Sequence, residues 1–592
     1  MKTIQSMAIT LALAFASFSA FAGDGVEVQH LGVNNTLVRV TGDGNYLLLP
    51  VQESNDDARI NVLANGKIDK TIYVRLAKSK VDYYVPLNLS EYNNVDLLLD
   101  IVTPQGRNSV REAKDDACWK NITVSNSFHT ANREKYRPAY HHTPQWGWMN
   151  DPNGMFYKDG TWHLYYQWNP YGSKWQNMTW GHSSSKDLVN WEHHPAAIEP
   201  NGLGSVFSGS SAVAPNDSNK VWAMYTSAGT SQMQSLAWSN DNGETFTINP
   251  ANPVLTLESE ARDPNFFWDA ENNQWVLVLA HALDHEMLIF TSPDLKQWTQ
   301  QSAFGKGLGA QDGVWECPDL FKLTAPDGTE KWVLLVNLNP GGPFGGSATQ
   351  YFIGEFDGKT FKADDTDTRW LDYGKDHYAT VSWSDAPDNR RTVIGWMSNW
   401  QYANEVPTMQ YRSANTLPRE MKLFTGADGK YYVASEPSPE VLALRGKLVK
   451  KASFTASKNP RNFAIPDLCE IILDIDAKAS TDITLSNTKG EKVVMTYNPA
   501  DRTMNVDRRE SGLTDFSQDF PAVTVSPTFE KNGKVQLRLF IDRSSIELFG
   551  NNGQFTQTNL VFPTEPYSTL SVSSDGKAKV SNLQIYSINA NN

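Results

Sequence analysis

Five times along the chain a short apolar strand returns, at intervals of roughly 55 to 60 residues. The strands begin at Trp162 (Trp-His-Leu-Tyr-Tyr-Gln), Val221 (Val-Trp-Ala-Met-Tyr), Trp275 (Trp-Val-Leu-Val-Leu), Trp332 (Trp-Val-Leu-Leu-Val) and Thr392 (Thr-Val-Ile-Gly-Trp-Met). A unit of this size cannot bury its own apolar face, so such units stack against one another. Ahead of each strand, at the same phase, lies a short polar segment; these surround Asp151, Ser208, Asp263, Glu316 and Asp376. If the units are arranged around an axis, equal phase means equal radius and height. Residues far apart in sequence then meet at one end of one channel. Three of the segments carry carboxylates: Asn150-Asp151-Pro152-Asn153-Gly154, Arg262-Asp263-Pro264 and Trp315-Glu316-Cys317-Pro318-Asp319.

The repeats share an outline of polar inner segment, apolar strand, second strand, and a turn closed by an aromatic before an outer strand. The turns are Ser185-Lys-Asp-Leu-Val-Asn-Trp191, Ser239-Asn-Asp-Asn-Gly-Glu-Thr-Phe246, Ser292-Pro-Asp-Leu-Lys-Gln-Trp298 and Glu355-Phe-Asp-Gly-Lys-Thr-Phe361. A four-stranded unit of about 50 residues matches a propeller blade, so residues 139–435 are predicted to form a five-bladed β-propeller. A long β-solenoid would need shorter periods. Residues 23–130 alternate apolar and polar positions between turns and read as an extra N-terminal β-sandwich-like domain. The polar stretch Asn126 to Pro138 reads as a linker. After Glu436-Pro-Ser-Pro-Glu440, residues 450–592 again read as short strands and predict a C-terminal β-sandwich. The class is all-β, with one short turn or helix at residues 440–448.

A chain of 592 residues exceeds one hydrophobic core, in keeping with several domains. Its net charge of −14 argues against nucleic acid or an anionic membrane surface as partner. Nineteen Trp in a chain only 20% charged suit β-rich cores first and sugar stacking second. Residues 1–22 have a Lys2 start, an apolar Met7–Phe18 run and Ala20-Phe21-Ala22 before Gly23, the pattern of a cleavable export signal rather than a membrane span. No Cys follows the cleavage site, and no later run is long and apolar enough to span a membrane. A secreted or periplasmic location is expected. Cys118, Cys317 and Cys469 are too few and too widely spaced for a disulfide framework. Buried thiols are expected, with a Cys118–Cys469 bridge the alternative. His281 and His285 fall at a strand-to-turn junction and do not read as a metal pair. No metal or other cofactor is expected.

Three acids at one phase suit glycoside hydrolysis. Retention of configuration needs two carboxyl groups about 5–5.5 Å apart, one attacking the anomeric carbon and one donating a proton to the leaving oxygen. Asp151, in a turn rich in Pro, Asn and Gly, is placed among donors that favour its ionised form, so it is the candidate nucleophile. Glu316, beside Trp315, Cys317 and Pro318, is expected to be kept protonated by apolar neighbours and is the candidate acid/base. Asp263, beside Arg262, is expected to stay charged, grip sugar hydroxyls and balance the developing oxocarbenium ion. Taken singly these motifs are ordinary: Asp-Pro-Asn-Gly is a good β-turn and an Arg-Asp pair is usually a surface ion pair. Their common phase gives them weight.

The series Trp148-Met-Asn-Asp-Pro-Asn-Gly154, Tyr166-Gln-Trp-Asn-Pro170, Trp180-Gly-His182, Phe207-Ser-Gly-Ser210, Arg262-Asp-Pro264 and Trp315-Glu-Cys-Pro-Asp319 resembles the motif series of glycoside hydrolase family 32. That family contains invertases, inulinases, levanases and fructan β-fructosidases. Asp542-Arg-Ser-Ser-Ile-Glu-Leu-Phe549 is similar to its C-terminal signature. The resemblance implies the same roles for Asp151, Glu316 and Asp263. It also implies that Asn150, Gln167, Trp175, Phe207, Ser208 and Arg262 bind the terminal fructosyl unit. Asp376-His-Tyr-Ala379 resembles an Asp-Phe-Tyr-Ala motif with His377 in place of Phe, which makes Asp376 a candidate substrate ligand. Trp400 is the expected pocket wall. The implied activity is release of terminal β-D-fructose from fructans, levan or inulin, and from sucrose. An endo-acting levanase, an invertase and a fructosyltransferase remain open, as do a binding module and an inverting arabinanase or xylosidase.

Overall fold

The structure is a computed structural model and describes residues 24–104, 113–129 and 134–590. The signal-like residues 1–22 and residues 130–133 of the expected linker lie outside the described residues. The chain divides into two compact units, with the boundary after His129.

The first unit holds a five-stranded antiparallel sheet in the order Val26–His30, Asn35–Val40, Leu97–Val102, Ala58–Ala64, Lys67–Val74. A second sheet has Tyr46–Val51 between Tyr83–Asn88 and Thr123–Ser125. Alternate side chains, such as Leu97, Leu99 and Ile101, are buried, which is the period-2 signal read from the sequence.

In the second unit five antiparallel sheets follow one another from Gly147 to Pro437. Their first strands are Gly147–Lys158, Ser205–Ala214, Ala261–Asp269, Val314–Thr324 and Tyr378–Ser382. Each touches the next and the fifth touches the first, closing a propeller ring. Closure is reinforced where Tyr411–Arg412, from the fifth unit of the chain, pairs in parallel with Gly147 and Trp148. The second strands are covered on both faces by neighbouring sheets. Hence Val276 through Ala280 and Val333 through Val336 are all buried without alternation, and they read as continuous apolar runs. Full burial of each such Val or Leu contributes about 1.5–3 kcal/mol. The outer turns recur because an Asp carboxylate accepts backbone N–H groups just downstream: Asp187 from Val189 and Asn190, Asp294 from Lys296 and Gln297, Asp357 from Lys359 and Thr360.

Two six-stranded antiparallel sheets follow, sharing one core in which Ile471, Leu473 and Ile475 meet Ile483, Leu485 and Met495. This β-sandwich begins at Arg445, earlier than expected from the sequence. Residues 447–451 of that edge strand are exposed, so they carry no apolar alternation to read. The expected short helix is a 3-10 turn at Pro439–Leu444.

Sandwich and ring are joined by buried charge. His141 lies between Asp542 and Glu547, at 2.7 and 2.8 Å. Arg419 bridges Asp372, at 3.0 Å, and Glu547. Burial opposes protonation of His141, but the hydrogen bonds and charges of Asp542 and Glu547 override it and lift its pKa to about 9. The Asp542-to-Glu547 motif is therefore a strut. The last part of the expected linker is also packed: Tyr136 meets Phe562 edge-on and Arg137 lies over the Tyr411 ring. All three cysteines are buried, and Cys317 and Cys469 are free thiols, so the alternative Cys118–Cys469 bridge is not formed.

Candidate active site

The same irregularity occurs in the first strand of every sheet of the ring. Two residues there oppose one residue of the second strand, a β-bulge. Asn150-Asp151 faces Gln167, Phe207-Ser208 faces Thr226, Asp263-Pro264 faces Leu279, Cys317-Pro318 faces Val336, and Ala379-Thr380 faces Gly395. A bulge bends its strand and re-aims a side chain. Three of these residues take left-handed backbone angles, with φ of 61° at Asp263, 43° at Cys317 and 52° at Ala379, a conformation that costs about 1–3 kcal/mol each. The bulge is anchored by side chains of neighbouring sheets: the Asp263 N–H donates to Thr226 Oγ1 at 3.0 Å, and the Cys317 N–H to Asp263 Oδ2 at 2.9 Å.

At this end of the axis lies a cavity of about 250 Å³, lined by Asn150, Asp151, Gln167, Trp175, Phe207, Ser208, Arg262, Asp263, Val314, Glu316, Asn339 and Trp400. It is smaller than the ~300–1,000 Å³ of sites for drug-sized ligands, a size for one sugar ring. Every candidate from the sequence lines it except Asp376. That residue is fully buried beneath, paired with Arg508 and accepting from Tyr402 OH at 2.7 Å and Leu560 N–H at 2.8 Å. Its expected role in substrate binding is replaced by a structural one, because the fifth bulge falls at Ala379-Thr380, past Asp376. The residue of that motif at the site is Tyr378, whose hydroxyl donates to Glu316 Oε2. Val314 and Asn339 also went unread, and nothing in their sequence context marks them.

The acids form one cluster. Asp151 accepts from Ser208 Oγ at 2.6 Å and Asn150 Nδ2 at 3.1 Å, and Asn150 is itself oriented by the Trp148 indole N–H at 2.7 Å. Cys317 Sγ lies 3.5 Å from both Asp151 Oδ2 and Asp263 Oδ2. Arg262 grips Glu316 Oε1 through Nη2 at 3.0 Å and Nε at 3.2 Å. The carboxylate of Glu316 thus meets a guanidinium and a phenol rather than the apolar neighbours expected from the sequence. Trp315 turns away into the core, its indole N–H on the Ala310 carbonyl at 2.9 Å. Burial, then the charge of Glu316, raises Asp151 above the usual carboxylate range despite its donors. Asp263 is pushed up to about 7 by burial and by Glu316 and Asp151, against the pull of Arg262. Burial also drives the Cys317 thiol well up, so this cysteine is a neutral S–H donor. The walls are aromatic. Trp400 stacks on Trp148 with ring centroids 5.6 Å apart, and Trp175, 40% exposed at the mouth, meets Phe207 edge-on at 6.0 Å. Gln167 is held by donation to the Val206 carbonyl at 3.0 Å.

A propeller that gathers three carboxyl groups and an arginine into one pocket, backed by a β-sandwich, defines a glycosidase. Residues 141–437 match the Glycosyl hydrolases family 32 N-terminal domain, residues 440–587 match the Glycosyl hydrolases family 32 C terminal, and residues 32–140 match a domain of unknown function. A levanase of Bacillus subtilis (strain 168) is 42% identical over 480 residues, 76% of this chain and 70% of that one. An extracellular exo-inulinase of Aspergillus niger is 36% identical over 490 residues, 73% of this chain and 90% of that one. The crystal structure of exo-inulinase from Aspergillus awamori superposes with a TM-score of 0.73 at 35% identity, covering 78% of this chain and 100% of that one. The chain belongs to glycoside hydrolase family 32. No helix among its described residues is long and apolar enough to cross a membrane.

Proposed function

We propose that this chain is an exported, retaining β-fructosidase that removes terminal fructose from levan or inulin and from sucrose. The observation that carries the reading is the convergence of Asp151, Asp263 and Glu316, from three sheets, on one small pocket walled by Trp175, Phe207 and Trp400. A pocket of that size takes one terminal sugar, which favours exo-action. Asp151 attacks the anomeric carbon of the fructosyl unit. Glu316 gives its proton to the departing glycosidic oxygen and then takes one from the water that hydrolyses the fructosyl-enzyme. Three carboxyls in one buried pocket cannot all ionise cheaply, so the cluster keeps a proton in mildly acidic water. The reaction needs that proton on Glu316 when the leaving oxygen departs, and Ser208 and Asn150, by donating to Asp151, favour its charged form. Asp263 and Arg262 hold sugar hydroxyls, and Asp263 balances the positive charge developing on the ring. Residues 1–22 serve as the export signal, in keeping with the extracellular inulinase relative.

The test is incubation of the purified protein with levan, inulin and sucrose, with early products resolved by chromatography. Fructose as the sole early product from a polymer is expected. Early fructo-oligosaccharides would mean endo-action, and turnover of none of the three would overturn the reading. Asp151→Ala and Glu316→Ala are each expected to lose most activity while folding normally; near-native activity in either removes its assigned role.

A further inference from the structure

Away from the pocket, on the outer strands of the first sheet, two histidines and a glutamate come together. His182, on Thr179–Ser185, and His194, on Trp191–Ile198, are direct cross-strand partners, with rings stacked at 4.4 Å. Glu244 reaches them from the turn between Gln232–Ser239 and Thr247–Ile248 of the second sheet. One ligand atom from each lies within 4.8 Å of the other two. The three are distant in sequence and converge only through strand pairing and the closeness of adjacent sheets.

Hydrogen bonding engages the same nitrogen, Nε2, of both imidazoles and leaves Nδ1 of each as the ligand atom. Nε2 of His182 is engaged by His163 Nδ1 at 3.1 Å, and Nε2 of His194 by Ser184 Oγ at 2.7 Å. Nδ1 of His182 is buried and has no hydrogen-bond partner, although His182 itself is 0% exposed. An unpaired polar atom at such depth is costly unless something binds it. Nδ1 of His194 lies 3.4 Å from Glu244 Oε2. Metal-bound histidines commonly engage their second nitrogen in this way, which fixes ring and tautomer.

The geometry points to a divalent transition-metal site, of the Zn²⁺ type, formed by His182, His194 and Glu244. Two imidazoles and one carboxylate suit Zn²⁺ and its neighbours, whereas Ca²⁺ and Mg²⁺ prefer oxygen ligands. Bonds of about 2.0–2.2 Å place the ligand atoms of a tetrahedral ion roughly 3.3–3.5 Å apart. The His194–Glu244 pair already has that spacing. Closing on His182 falls mainly to Glu244, whose side chain is exposed and can move toward the two stacked rings, with a smaller adjustment of the half-buried His194. Water completes the shell. The bound ion ties the outer edge of the first sheet to the outer turn of the second, so its effect is on stability and not on the reaction.

The test uses the full chain, stripped with chelator and titrated with Zn²⁺ by calorimetry, alongside thermal melts. One equivalent is expected to bind and raise the melting temperature, because a ligand that binds the native state stabilises it. Glu244→Gln, on an exposed turn and harmless to folding, and His194→Leu are each expected to weaken binding by at least about tenfold and to abolish the rise in melting temperature, with turnover unchanged. Co²⁺ in place of Zn²⁺ should give the visible absorption of a tetrahedral site in the parent chain and not in the variants. Absence of saturable Zn²⁺ binding by the parent chain overturns the site. So does equal binding by both variants, or stabilisation by Ca²⁺ or Mg²⁺ as large as by Zn²⁺.

Discussion

Asp263 is the residue where the pocket works hardest against the fold. Its carboxyl, which ordinarily titrates near 3.8, is pushed up to about 7. Between these values the folded chain holds a proton that the unfolded chain has released. The favourable contribution is therefore complete below about pH 4 and is lost as pH rises through about 7. A rise of about three pH units at about 1.4 kcal/mol each sets a ceiling near 4 kcal/mol. Because Asp151 and Glu316 share the same proton balance, about 2–4 kcal/mol is the expected cost of charging Asp263 at pH 8. Asp263→Asn keeps an oxygen for the Cys317 N–H and carries no charge. It should match the parent chain at pH 4 and exceed it at pH 8. For a unit running from residue 134 to residue 590, an unfolding entropy near 2.1 cal/mol/K per residue converts each kcal/mol into roughly 1 °C. Calorimetric melts should thus show a gain of roughly 2–4 °C at pH 8 and almost none at pH 4. A variant equally stable at both pH values relative to the parent, or less stable at pH 8, would refute the reasoning.

Other consequences follow from single contacts. Tyr378→Phe keeps the ring against Trp396 and deletes the donor to Glu316. Hydrogen bonds to charged groups are worth about 1.5–3 kcal/mol, so kcat/KM should fall roughly 10- to 150-fold at an unchanged melting temperature, and parental kinetics would count against the contact. Asp376→Asn leaves Arg508 as an uncompensated buried charge, at a cost of about 3–5 kcal/mol. Urea titration should register that loss while KM stays put, and a tenfold rise in KM at full stability would return Asp376 to the pocket. His141, lifted from 6.5 to about 9, contributes stability that is complete below pH 6.5 and lost as pH rises through 9. His141→Gln should be less stable at pH 6 and lack that slope; a variant with the parental pH profile would show that the strut does not depend on the charge of His141.

The ring was legible because its second strands are buried on both faces. That leaves continuous apolar runs such as Val333 to Val336, which recur once per sheet. The pocket was legible for a related reason. Bulges fall at one place in each first strand, so Asp151, Ser208 and Asp263 sit in them and Glu316 directly precedes one. The fifth position misled, since polar residues at that phase serve the pocket and also the seam beneath it. Asp376 and Tyr378 are two apart, yet one pairs with Arg508 below and the other touches Glu316. The charges of Asp542 and Glu547 belong to buried pairings with partners hundreds of residues away. The same holds for the electrostatics of Glu316: its sequence neighbour Trp315 leaves for the core, and Arg262 and Tyr378 arrive from other sheets.

The central claim is that Asp151 attacks the fructosyl carbon directly, so that water must later arrive from the face the leaving group vacated. Proton NMR of the first product released from a β-linked fructan, recorded before mutarotation, tests it most directly. The account predicts that β-fructofuranose appears first and equilibrates afterwards. The α-anomer as first product would mean single displacement by water and would contradict it.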